Sequence, residues 1–292
     1  MCAACPWAGC SGPVATSPVA ERGIPADVTA DEVAERLFAR YNRAQSYADS
    51  ASYVQHYVVR GEGVERERPF FELALALARP NRLRLTLKES ISEGPDRQSY
   101  DVACDGRQLR VAVAALPDQI LVAPAPAELA GDNFLPDPLL RDTLLAQSLA
   151  NVFPQLAMMW NRSEDELVFP EDGAPRLLPS KSLAGRACYR LETTNPAGKR
   201  VLWIDQETDA LLRMELPVDA QKGELDPDSQ YMEHSVWIDF RDPAFDADID
   251  DATFVLEAPA EATLVTALAP PVPPGPSPVT GRLAAEAAFY DP

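Results

Sequence analysis

The stretch FELALALARPNRLRLTLK, residues 71–88, decides the fold. Phe71, Leu73, Leu75 and Leu77 alternate with Glu72, Ala74, Ala76 and Ala78. A period of two is that of a strand, whose successive side chains point to opposite faces. Arg79-Pro80-Asn81 interrupts the pattern, since proline has no N–H to give a ladder. Leu83, Leu85 and Leu87 then alternate with Arg82, Arg84, Thr86 and Lys88. Two consecutive strands thus each carry a row of large apolar side chains on one face. Their other faces differ, with small alanines on the first strand and cations on the second. One face built for burial and one more polar is the mark of an antiparallel pair.

Upstream, Thr29 is the predicted N-cap of a helix, with Glu32 closing a capping box. Val33, Leu37, Tyr41 and Ala44, with Phe38 beside them, form one apolar stripe. From Ser50 to about Arg60, β-branched and aromatic residues predict a strand, followed by a charged turn with Gly61 and Gly63. Downstream, Tyr100 to Cys104 and Gln108 to Val113 flank the hairpin turn Asp105-Gly106. Ile120 to Val122 reads as a further short strand. Between Pro138 and Trp160 the period changes. Leu140, Leu144, Leu145, Leu149, Val152, Phe153 and Leu156 follow helical spacing, and Pro154 is expected to break or kink the run. Met158, Met159 and Trp160 end it. Methionine is unbranched and adaptable, which suits a cavity for variable ligands; plain core filling explains the same residues.

After Pro179 strands resume at Ala187–Thr193, Arg200–Asp205, Leu211–Leu216 and Tyr231–Phe240, and Thr253–Glu257 is read as a last short one. Turns are expected at Asn195-Pro196-Ala197-Gly198 and at Asp205–Asp209. About ten strands, one N-terminal helix and one central helical insert give an α+β class with a mainly antiparallel sheet. No strand–helix–strand alternation supports a parallel fold.

Hydrophobic residues make up 46% of the chain, enough for a sizeable core. The 45 acidic residues outnumber the 26 basic ones, for a net charge of −19, which disfavours nucleic acid and anionic lipid surfaces as partners. No run of 18 apolar residues exists to span a membrane. His56 and His234 are the only histidines, and neither has a cysteine or second histidine near it in sequence. The acidic runs at Ser163–Glu166 and Asp246–Asp251 read as solvated loops, and the second lacks the glycine of a calcium loop. No nucleophile elbow, phosphate-binding glycine loop or zinc-protease motif occurs. Neither cofactor nor metal is expected.

The ends differ from the middle. Residues 1–27 read as a disordered tether or signal remnant. Within them Trp7-Ala8-Gly9-Cys10 resembles a bacterial lipobox, making Cys10 a lipidation candidate, although Trp7 departs from the pattern and no charged or apolar run precedes it. Residues 28–266 read as one domain. Residues 267–292 read as a proline-rich, semi-rigid linker toward a possible further domain.

Five stretches in order resemble the LolA-like superfamily, which takes in the periplasmic lipoprotein carrier LolA, the lipid-binding LppX and LprG proteins and the sensor RseB. They are RYNRAQSYADSASY (40–53), FELALALARPNRLRL (71–85), VACDGRQLRVAV (102–113), RVLWIDQETDALLRMEL (200–216) and DDATFVLEAPAEATLV (250–265). The Arg-Pro-Asn at 79–81 is the most specific element. The resemblance implies a curved, mainly antiparallel half-barrel whose apolar concave face is covered by the N-terminal helix and the central insert. It implies no catalytic residues. Arg79 matches the family's lid latch, an arginine that bonds to lid carbonyls. A guanidinium has five donors in a fixed fork, which suits orphan helix-end carbonyls.

The expected ligand-lining residues are Phe71, Leu73, Leu75 and Leu77 on one strand and Leu83, Leu85 and Leu87 on the next. Leu149, Phe153, Met158, Met159 and Trp160 are expected to line it from the insert. The function so implied is a non-enzymatic binding protein of the periplasm or cell envelope, holding an acyl chain, lipid or lipoprotein. The alternative is a protein-interaction or sensor module of a larger envelope protein; the tail SPVTGRLAAEAAFYDP (277–292) resembles the entry into a TlpA-type thioredoxin domain, which implies a fusion to such a redox domain. The long insert and the loops 124–138 and 164–179 depart from the compact carrier.

Overall fold

A computed structural model describes residues 28–59, 61, 63–90, 99–145, 152–160, 174–195, 198–216 and 231–269. Helix α1 (Ala30–Arg43) leads into strands β1 (Ser46–Val59), β2 (Glu65–Ala78), β3 (Arg82–Glu89), β4 (Ser99–Asp105), β5 (Gln108–Val113) and β6 (Gln119–Pro124). Helices α2 (Pro138–Leu145) and α3 (Pro154–Trp160) follow, and then β7 (Arg176–Leu183), β8 (Arg186–Asn195), β9 (Gly198–Asp205), β10 (Leu211–Glu215) and β11 (Tyr231–Phe245). A 3-10 turn (Asp251–Phe254) and β12 (Thr263–Val265) close the described chain. The strands form one open, curved sheet in the order β12-β6-β5-β4-β3-β2-β1-β11-β10-β9-β8-β7. Every pairing is antiparallel except β12 with β6. This is the expected α+β half-barrel, with two edges, β12 and β7.

Local chemistry sets these elements. Thr29 caps α1 with both capping-box bonds formed. Gly106 takes φ +89°, and the Asp105 carboxylate accepts from the amides of Arg107 and Gln108. The Asp205 carboxylate does the same for Glu207 and Thr208 in the β9–β10 turn. In β2 the register slips by one residue beside Pro69, so Phe70 and Phe71 are both buried in spite of the period of two.

The leucines of β2 and β3 pair directly, Leu73 with Leu87, Leu75 with Leu85 and Leu77 with Leu83. They belong to one core that includes α1, β4, β5, the inward residues of β8–β11, and the helices α2 and α3. The convex face of β2–β5 is covered by the chain that follows β11. Phe254 packs on Ala76 and Ala78. Arg82 pairs with Asp251, Arg84 donates to the Val255 carbonyl and Arg110 to that of Leu256. The alanines and cations on the outer faces of β2 and β3 thus have a cause, since small residues leave room for Phe254 and the arginines hold the strap.

Four expectations need correction. Thr253–Glu257 is not a strand: the Asp250 side chain accepts from the Ala252 amide and turns the chain into the 3-10 helix. The last strand is instead Thr263–Val265, parallel to β6. Strand β7 is an addition to the expected set; it lies at an edge with no buried residue, and a register shift around Pro179 hides its alternation. Strand β1 starts at Ser46 rather than Ser50. The insert is interrupted as expected, with Phe153 non-helical and Pro154 opening α3, where a missing N–H costs nothing. Leu149, Cys10, the Asn195–Gly198 turn tip and residues 270–292 lie outside the described residues.

Candidate functional site

The concave face and the helix that covers it form the candidate site. Phe71, Leu73, Leu75 and Leu77 from β2 and Leu83, Leu85 and Leu87 from β3 are all buried on this face. Phe153, Met158 and Met159 are buried in the same core cluster. Trp160 is half-buried at the rim, its ring 5.1 Å from that of Phe134. The structure therefore brings every described member of the expected lining into one cluster.

Two groups of β1 and one of the β2–β3 turn reach α3 and the residues just before it. The Tyr53 hydroxyl donates to the Val152 carbonyl. The Asp49 carboxylate accepts from Gln155 Nε2 at 3.1 Å. Arg79 donates to the Met159 carbonyl and also, at 2.9 and 3.1 Å, to those of Ala44 and Asn42 at the end of α1. The contacts fall at 152, 155 and 159, so the segment is pinned before the helix, within it and near its end. Arg79 ties the ends of two helices to the β2–β3 turn, supplying donors to carbonyls that helix termini leave unpaired.

Asp49 has the most unusual surroundings. Strand alternation places it on the inward side of β1 between Tyr47 and Ala51, and it is almost fully buried. Burial raises its pKa to about 7, against the pull of hydrogen bonds from Tyr47 (2.8 Å) and Gln155. Tyr47 in turn lies 3.4 Å from the Tyr41 hydroxyl, which accepts from the Leu211 amide. Burial holds both tyrosines well above the usual phenol range. The Gln155 carbonyl oxygen is buried with no hydrogen-bond partner.

A second polar pair lies on the same face. Thr193 on β8 and Arg200 on β9 are register partners and keep the inward parity of Leu191, Leu202 and Ile204. Sequence reasoning singled out Arg79 but passed over Asp49, Gln155, Thr193 and Arg200. The available signal was parity, a polar residue at an inward position of an alternating strand. Cys104 and Cys188 are free and buried, and burial pushes the Cys188 thiol up to about 11, away from redox reactivity. Among the described residues no group of three His, Cys, Asp or Glu side chains could hold a metal ion. No described helix is long and apolar enough to cross a membrane.

No family model matches the chain, and no curated protein matches it. Solved structures to which it is similar include a LolA superfamily protein from Nitrosomonas europaea, at 17% identity and TM-score 0.31, covering 78% of this chain and 98% of that one. LprF from Mycobacterium bovis is similar at 11% identity and TM-score 0.38, over 80% of this chain and 97% of that one. The lipoprotein LppX of Mycobacterium tuberculosis is similar at 8% identity and TM-score 0.36, over 75% and 95%.

Proposed function

We propose that this chain is a LolA-like, non-enzymatic binding protein of the cell envelope that holds the hydrophobic part of a lipid or lipoprotein against the concave face of its sheet. One observation carries the proposal. The apolar rows of β2 and β3 share one core with a helix of only two turns, and polar contacts from Tyr53, Asp49 and Arg79 tie that helix and the residues before it to the sheet. Lifting such a cover breaks no sheet ladder, only its polar ties and the packing of Leu156, Met158 and Met159, which an incoming acyl chain replaces. Once it lifts, each methylene buried in its place contributes about 0.8 kcal/mol, so a long acyl chain binds without any polar contact. Lipidation of Cys10 would keep such a carrier in the periplasm at a membrane surface.

The test is saturable uptake of a fluorescent fatty acid by the full chain, with native mass spectrometry after mild extraction. One probe per chain is expected, and Arg79→Ala should speed its uptake. Finding neither co-purified lipid nor saturable uptake would sink the proposal. The burial of Phe153, Met158 and Met159 in the core supports a second use, as a protein-interaction or sensor module. In that case a partner would bind while no acyl probe enters.

A further inference from the structure

Thr193 and Arg200 are 2% and 5% exposed. The Nε of Arg200 and the hydroxyl of Thr193 are both enclosed without a hydrogen-bond partner. Among the described residues no carboxylate pairs with Arg200. In this half of the sheet Arg213 pairs with Asp239, Arg186 with Asp205 and Arg176 with Glu192, while Arg190, whose Nε also lacks a hydrogen-bond partner, lies over the Trp203 ring 4.7 Å from its centroid; among the described residues Arg200 has neither. Burial alone acts on the ionisation of Arg200, bringing its pKa down to about 10, so it stays charged at neutral pH. Buried charges are almost always paired, because an unpaired one loses its hydration with no return. Two orphaned groups side by side on one face lack the same kind of partner, an oxyanion that accepts from both a guanidinium fork and a hydroxyl.

Register fixes where this pair lies. Val201 pairs with Glu215, Glu215 with Trp237, and Trp237 with Val54. Arg200 is therefore level with the far half of β1, whereas Arg79 sits by the Ser46 end. Leu191 and Leu202 continue the apolar surface inward from it.

We infer that Arg200 and Thr193 form an anion site at the end of the concave face away from Arg79, taking the carboxylate or phosphate head of an amphiphile whose chain lies along Leu191 and Leu202. The inference rests on the ligand-holding function proposed above and adds the class of head group. It is tested by calorimetry on the full chain with dodecanoate, dodecanol and inorganic phosphate. Dodecanoate should bind on the order of tenfold more tightly than dodecanol, the difference a charge-assisted hydrogen bond supplies. Arg200→Met should bring the two to parity, and Thr193→Val should reduce the preference in part. Ligand-free Arg200→Met should also melt above the unsubstituted protein, because an unpaired buried charge has gone. Equal binding of dodecanoate and dodecanol to the unsubstituted protein would overturn the anion site and leave the cup standing. If neither chain compound binds, the ligand-holding function itself has failed. Phosphate binding lost in Arg200→Met would then mark a site for a free anion and overturn the amphiphile. A variant that melts lower and keeps the preference would overturn the inference as well.

Discussion

The two ends of the concave face treat buried charge in opposite ways. At the Ser46 end, Arg79 has three carbonyl acceptors and Asp49 has donors from Tyr47 and Gln155. At the other end, Arg200 has no partner among the described residues. Charge with internal partners binds the chain to itself, whereas charge without them is kept at a cost to stability and is open to something from outside. The same concave face thus carries a fastened end and an unfastened one, and the short helix α3 lies over the fastened one.

The comparison breaks most visibly if Arg79→Ala leaves stability unchanged. Three carbonyls lose a charged donor at once, so denaturant unfolding should show a loss of about 3 kcal/mol. Asp49→Asn gives the next effect, and its sign follows from linkage. The folded-state pKa is about 7, above the unfolded carboxylate value. The native state therefore holds more protons between those values, and stability falls as pH rises through that range. From pH 5.5 to 8 this contribution should fall by about 2 kcal/mol. Melting curves of Asp49→Asn should lack that slope; a slope equal to that of the unsubstituted protein would place the titrating group elsewhere. The smallest effect is expected at Gln155→Met. It removes one donor to Asp49 and one unpartnered oxygen together, so the change should stay within about 1 kcal/mol. A larger loss would mean that Gln155, rather than Arg79, is the main tie between α3 and the sheet.

The leucine rows of β2 and β3 were legible because period two is the geometry of the strand itself. Arg79 was legible through its place in Arg-Pro-Asn. Asp49 and Arg200 were not, because one polar residue among inward positions has no meaning until register shows which face it occupies and what lies across from it. Val255 and its neighbours carried strand propensity, yet a single cap by Asp250 overruled it. The alanines of β2 were visible as a pattern without a reason. The reason is Phe254, some 180 positions downstream.

That separation in sequence also marks the centre of the sheet. Strand β1 lies between β2 and β11, and Tyr47 stands opposite Phe245. The meanders β2–β6 and β8–β10 close locally, but the seam joining them cannot form until almost the whole ordered chain is present. Non-local pairing of this kind slows folding, because loop-closure entropy must be met before the contacts return anything. A chain that completes its central seam last leaves the inner edge of β1, and with it the β1–β6 half of the sheet, without its β11 partner through most of its synthesis.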